Sequence, residues 1–199
     1  SAPYRPEAIP FYDSRVYDSD TVLNIHDLPK RLLIAGGGVI GCEYACLFTA
    51  LGIKVSLVEG RDRLVGFMDS EISSTLRECM QAMGIELRMP DSIAAVEAGE
   101  AVVVRLKSGA AIEVDTVLAA TGRTGNTEGL GLEEQGVELG QRGTVKVNEH
   151  YQTNVAHIYA AGDIIGFPAL ASTAMEQARL AMVHAFDLHY KTKLAHILP

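Results

Sequence analysis

Apolar and polar positions along the chain alternate between two periods. Leu32, Leu33, Ile34 and Ala35 form an unbroken apolar run closed by three glycines, the pattern of a strand buried on both faces. Over residues 39–51 the apolar positions recur at helical spacing, and residues 54–58 return to a strand pattern. Parallel strands need a helical crossover, so this order predicts a βαβ unit of about 30 residues. A second helix is expected over residues 69–83, with Asp69 and Glu71 in an acidic first turn and Gly84 placed to stop it. Residues 85–88 read as a third parallel strand. Residues 92–97, 101–107 and 110–114 alternate in short runs, with a turn at Ser108 and Gly109, which predicts an antiparallel meander. The apolar run over 116–120 returns to the main sheet.

The two ends have a different texture. Residues 1–30 hold Pro3, Pro6, Pro10 and Pro29, four of the seven prolines, and read as an irregular arm. After Arg123 come glycine-rich connections, a short strand expected over 144–147, an apolar strand over 158–161, and a closing helix over 169–190. The expected organisation is an arm over 1–22, a nucleotide-binding domain over 23–123, and a further piece over 124–199.

Chemistry concentrates in the turn Gly36-Gly37-Gly38-Val39-Ile40-Gly41. A lone G-x-G-x-x-G is weak, but this one follows a strand and opens a helix, and the next strand ends in an acid. Gly36 permits the tight turn, Gly38 lets a pyrophosphate approach the backbone, and Gly41 lets the helix pack closely. The helix N-terminus then favours an anion. Glu59, 18 positions after Gly41, has the spacing at which an acid takes the ribose hydroxyls of NAD. Arg61 and Arg63 follow in the same loop, and arginine grips the 2′-phosphate of NADP. Both coenzymes stay open, as does a solvated turn in which Arg61, Asp62 and Arg63 neutralise each other. Cys42 and Cys46, one helical turn apart, read as packing residues, and Cys79 as a core thiol. The histidines at 26, 150, 157, 184, 189 and 196 form no metal-ligand spacing with the cysteines. His184 and His189 read as helix-surface or helix-packing residues.

The bulk properties narrow the field. A formal charge of -8 gives no electrostatic footprint for nucleic acid or an anionic membrane. No apolar run is long enough to span a bilayer, and the first residues lack a signal-peptide profile. Three cysteines without framework spacing point to a reducing compartment, by default the cytoplasm.

On these motifs the chain resembles the two-dinucleotide-binding flavoprotein disulfide reductases, over nearly its whole length. The segment from Gly36 to Glu43 resembles their NAD(P) fingerprint, which implies that Glu43 faces the nicotinamide ribose. The segment Ala120-Thr121-Gly122-Arg123 is similar to the one that closes their nicotinamide domain, bringing Gly122 to the same end. Residues 153–163, with Gly162 and Asp163, resemble the second FAD motif, whose aspartate holds the ribityl chain. Leu170-Ala171-Ser172 matches the start of the next helix, where Ala171 nears the flavin pyrimidine edge. Details such as Gly125-Asn126-Thr127 and Tyr17-Asp18-Ser19-Asp20 look more like the transhydrogenase branch than the lipoamide or glutathione reductases. The resemblance implies an α/β dinucleotide-binding fold of Rossmann type, with a parallel sheet plus a meander, flanked by flavin-domain segments. It implies an enzyme of homo-oligomeric habit that moves hydride between NADPH and NAD through FAD. The family's first FAD turn, its redox cysteine pair and its dimerisation domain are not found in these 199 residues. The expectation is therefore the middle of such an enzyme, inactive alone. A dihydrolipoamide dehydrogenase-like disulfide reductase and a non-catalytic nucleotide-binding module are the alternatives.

Overall fold

The computed structural model describes residues 1–189. The chain divides into two compact units, one formed by residues 3–122 and the other by residues 1–2 and 123 onward. In chain order the strands are β1 (Ala2–Pro3), β2 (Val16–Asp18), β3 (Arg31–Ala35), β4 (Lys54–Val58), β5 (Glu86–Arg88), β6 (Ile93–Ala98), β7 (Val102–Leu106), β8 (Ala111–Val114), β9 (Thr116–Ala119) and β10 (Arg123–Thr124). The helices are α1 (Val39–Ala50), α2 (Ser70–Ala82) and α3 (Ala171–Ala185).

The unit of residues 3–122 is built on a five-stranded sheet in the order β2-β9-β3-β4-β5, every neighbouring pair parallel. Strand β3 sits at its centre, which is why its apolar run lacks a polar face. Successive side chains point to opposite faces. Leu32 and Ile34 pack with Ala45, Phe48 and Met80 of the two helices. Leu33 and Ala35 pack with Val102, Val104 and Val114 of the meander β6-β7-β8. The result is three layers, with helices on one face of the parallel sheet and an antiparallel sheet on the other. Full burial of each leucine or isoleucine stabilises the unit by roughly 1.5–3 kcal/mol before the entropy of ordering is counted.

Helix α2 runs as its sequence signals require. The Asp69 carboxylate caps it by accepting from the Glu71 N–H at 2.8 Å, and Gly84 follows its end with φ +97°. Its buried residues are Ser73 and Met80, with Leu76 half-buried between them. Cys79 falls outside that stripe and is exposed, so the expected core thiol is a surface thiol. Helical phase, not hydrophobicity, decides its place.

Residues 3–22 depart from the expected arm. Val16 to Asp18 form the sheet's edge strand, with Val16 opposite Val117, and Ile9, Val16 and Val22 are buried. The anchor is Asp18, whose side chain is 2% exposed. Its Oδ1 accepts the N–H groups of Asp20 and Thr21, and Arg5 donates to its Oδ2 at 2.6 Å. Burial pushes this carboxyl up, and the hydrogen bonds from Thr21, Arg5 and Asp20 outweigh it and hold it below the usual range. A three-residue strand whose partner lies far along the chain leaves no periodic trace to read.

In the unit of residues 123 onward, the strands expected over 144–147 and 158–161 each make a single bridge, Leu139 with Val145 and Gln152 with Tyr159. Val145 spends its N–H on Ile164 and Gly140 bonds back to Thr144, while around Tyr159 the Thr153 N–H donates to Ile158 and the Ala160 N–H to Tyr151; each run stops at its one bridge. Helix α3 buries Thr173, Gln177, Leu180, Ala181 and Val183, one stripe at helical spacing. It ends at Ala185, where Asp187 turns left-handed with φ 48°, five residues before the expected end at Tyr190. Tyr190 itself and His196 lie outside the described residues. No helix among the described residues is long and apolar enough to cross a membrane.

Candidate dinucleotide site

The three signature glycines at the end of β3 have three distinct surroundings. Gly36 sits at φ +110°, and a Cβ there would come 2.4 Å from the Ala120 carbonyl oxygen. A Cβ on Gly41 would come 1.9 Å from the Gly36 oxygen. Both therefore serve chain packing. A Cβ on Gly38 would meet nothing within 4 Å, and Gly38 is exposed at the N-cap of α1. The one glycine that the fold does not need is the one over which an anion has room. The first N–H groups of α1 have no carbonyl four residues back and are oriented to receive it.

Gly37, which the sequence pattern leaves as a spacer, is also crowded, by side chains where Gly36 and Gly41 meet backbone. A Cβ on it would approach Leu64 at 2.8 Å and Glu59 at 3.0 Å. Its N–H donates to Glu59 Oε2 at 2.6 Å. A glycine at the middle position of the run is the sequence signal for this contact, though nothing in it points to Glu59.

Glu59 lies at the end of β4, with its side chain 12% exposed. Besides Gly37 it accepts the Arg61 N–H at 2.9 Å through Oε1. Each oxygen thus keeps acceptor capacity for a hydroxyl donor. Arg61 leans toward it at 3.7 Å and is 71% exposed, whereas Arg63 donates to the Gly66 carbonyl at 3.0 Å. Both residues are exposed, and Arg61 is the one that lies beside the carboxylate. Glu43 is exposed on α1, and Gly122 is exposed just beyond β9 with φ +109°.

Cys42 is buried under the turn with its thiol 3.6 Å from the Gly37 oxygen. Burial pushes that thiol up to about 12, so it stays protonated and is a packing group with no nucleophilic use. Cys46 is half-buried and raised by burial too.

In the other unit, Gly162 donates its N–H to the buried Gln177 Oε1 at 2.7 Å. The Asp163 carboxylate accepts from Ser1 Oγ at 2.6 Å, with Arg123 3.9 Å away. Ala171 is exposed at the first position of α3. His184 is hydrogen-bonded to Tyr159 at 2.8 Å and stacks on His150 at 4.2 Å. No group of three or more metal-ligating side chains gathers among the described residues.

A match to the family described as pyridine nucleotide-disulphide oxidoreductase covers residues 3–178. The chain belongs to this family. Among its relatives, the soluble pyridine nucleotide transhydrogenase of Ectopseudomonas mendocina is 48% identical over 182 residues, covering 91% of this chain and 39% of the relative. That of Yersinia enterocolitica is 47% identical over 200 residues, covering 100% of this chain and 43% of the relative. The chain spans about two fifths of the length of these relatives. Among solved structures, LpdA from Mycobacterium tuberculosis superimposes with a TM-score of 0.85 at 33% identity, over 96% of this chain and 42% of that one. The flavoprotein disulfide reductase RclA of Escherichia coli gives 0.82 at 26% identity, over 94% and 43%. The family resemblance and the α/β architecture read from the motifs are both shown.

Proposed function

We propose that this chain carries the nicotinamide-dinucleotide site of an FAD-dependent soluble transhydrogenase, an oxidoreductase that passes hydride between NADPH and NAD. The observation that carries the reading is Gly38. It is open above, stands at the N-cap of a helix on a parallel sheet, and follows a residue, Gly37, whose N–H is already held by the acid Glu59 at the end of the neighbouring strand. In this reading α1 and Gly38 receive the pyrophosphate, while Gly36 and Gly41 shape the turn. Glu59 takes the adenosine ribose, and Arg61 with Arg63 accommodates a 2′-phosphate. Glu43 and Gly122 border the nicotinamide end. The higher identity with transhydrogenases than with the solved disulfide reductases supports the branch assignment over a lipoamide dehydrogenase-like role.

A flavin, when bound, supplies the hydride relay of such an enzyme. The residues present fit part of one. Gly162 forms a turn at φ +82° that a side chain would strain, Asp163 offers a 41% exposed carboxylate for a sugar-like hydroxyl chain, and Ala171 opens the first turn of α3. Among the described residues no second glycine-rich strand-turn-helix is present to take the ADP half. All three cysteines are free thiols, which agrees with a cytoplasmic setting, and we place the protein there. The homo-oligomeric habit is carried from the resemblance alone.

Calorimetric titration of the purified chain with NADH and with NADPH tests the reading. Saturable binding of both, at one site per chain, is the expected result. Absence of binding by either coenzyme removes the nucleotide role.

A further inference from the structure

Gly37 is held at both ends by the loop that follows β4. Its N–H is fixed by Glu59, as described, and its carbonyl accepts the Val65 N–H at 2.8 Å. Gly37 and Val65 are both buried. Val65 reaches this carbonyl with a left-handed backbone, φ 39°. The other described non-glycine residues at positive φ are Arg142, Tyr151 and Asp187, and none of them is β-branched. For a valine this conformation is a genuine outlier. Such strain persists where the surroundings over-determine it, and it gathers at ligand sites. Here the surroundings are explicit. Leu64 is fully buried, its carbonyl accepts the buried Ser73 hydroxyl at 2.6 Å, and the Met68 N–H closes on the Val65 carbonyl at 2.8 Å.

The consequence follows from peptide geometry. The Gly37 carbonyl and the Gly38 N–H belong to one planar trans peptide and point in opposite directions. A bond that draws the carbonyl inward to Val65 turns the Gly38 N–H the opposite way, at a residue that is itself exposed. We propose that Val65 is a positioning residue for the pyrophosphate: its strained backbone N–H pins the Gly37 carbonyl and thereby aims the Gly38 N–H at the anion. The inference rests on the dinucleotide reading of the same site. It adds a residue that touches no ligand and that no glycine fingerprint contains.

The test is an NMR titration of the whole chain with NADH and, separately, with adenosine, which lacks phosphate. Val65→Gly keeps the N–H and adopts positive φ without cost, so it is expected to bind NADH within about threefold of the parent. Val65→Pro removes the N–H and forces φ to about -65°. It is expected to weaken NADH about tenfold or more, the equivalent of one lost hydrogen bond to an anion, while adenosine changes little. The Gly38 amide resonance is expected to shift on adding NADH in the parent and in Val65→Gly, and not in Val65→Pro. Parent-like NADH binding by Val65→Pro, or equal losses for both probes, overturns the proposal and leaves the dinucleotide reading standing. A parent that binds no NADH defeats that reading first. If Val65→Pro does not fold, amide exchange of the parent decides: protection of the Val65 N–H that increases with NADH supports the proposal, and exchange at an open-loop rate overturns it.

Discussion

A Cβ built on Gly41 falls 1.9 Å from the carbonyl oxygen of Gly36. Two residues five apart in sequence are thus in direct backbone contact, and α1 cannot seat on the sheet with any side chain at position 41. Gly38, between them, is free of that demand, and its backbone is extended at φ -78° and ψ -175°.

The contrast gives opposite mutational signatures. Gly41→Ala is expected to destabilise the chain by about 1–3 kcal/mol or more, as an overpacked contact that only backbone movement can relieve. Gly38→Val is expected to keep the parent's melting temperature and lose NADH binding. Thermal melts with calorimetry of each variant check both halves. A Gly38→Val protein that binds NADH like the parent puts the site elsewhere.

In the proposed reading, coenzyme choice is set by Glu59 together with Arg61 and Arg63 in the loop that follows it. Arg61 leans on this carboxylate and Arg63 holds the Gly66 carbonyl, and in that reading a 2′-phosphate draws both guanidinium groups to itself. Replacing both arginines by alanine is expected to weaken NADPH roughly tenfold to a hundredfold and NADH by less than about threefold. The gap between the two coenzymes is expected to narrow as salt is added. Equal losses would make the arginines ordinary surface charges.

Acid sensitivity has identifiable sources in the unit of residues 3–122. The hydrogen bond from the Arg15 side chain, helped by its N–H, holds Asp13 down at about 2. Arg31 holds Asp115 below its usual range in the same way. An aspartate in the unfolded chain titrates near about 3.9. Each group therefore contributes stability that is complete above about pH 4 and is lost as pH falls toward the folded value. Asp13→Asn is expected to lower stability at neutral pH and flatten the decline between about pH 4 and about pH 2, as followed by circular dichroism. An acid limb as steep as the parent's would show that other carboxylates dominate.

Flavin retention is a separate matter from nicotinamide binding. In the proposed reading Asp163 and Ala171 serve the ribityl and pyrimidine parts alone, and an anchored pyrophosphate is a cofactor's strongest anion contact. The 199-residue chain is expected to purify colourless, without absorbance at roughly 450 nm, and to be inactive in transfer from NADPH to an NAD analogue. In the same unit Phe167, Met175 and Phe186 are 73%, 59% and 64% exposed. Surface of this kind favours self-association, which light scattering across a concentration series would register. A yellow, active preparation would mean that flavin binds by another route.

What the sequence determined by itself is the central βαβ unit and its turn, because both are local. The run from Leu32 to Ala35, the glycines, the helical period over α1 and the acid at Glu59 all lie within one short stretch. Their spacing alone dictates a strand, a tight turn and the start of a helix. The acid at Asp69 and the stop at Gly84 were legible for the same reason, although Asp69 caps α2 from just outside it, one position before the helix begins. Tertiary structure decided the rest. Val16 to Asp18 became an edge strand only because β9 offered hydrogen-bonding partners, and residues 144–147 and 158–161 failed to become strands because no neighbour continued the ladder. Cys79 went to the surface through its phase on α2. The clamp on Gly37 joins residues 22 and 28 positions downstream, at Glu59 and Val65. One of those bonds depends on a valine in a backbone conformation that its own chemistry opposes. A local pattern records what a residue prefers, and only the packed chain can hold it where it does not.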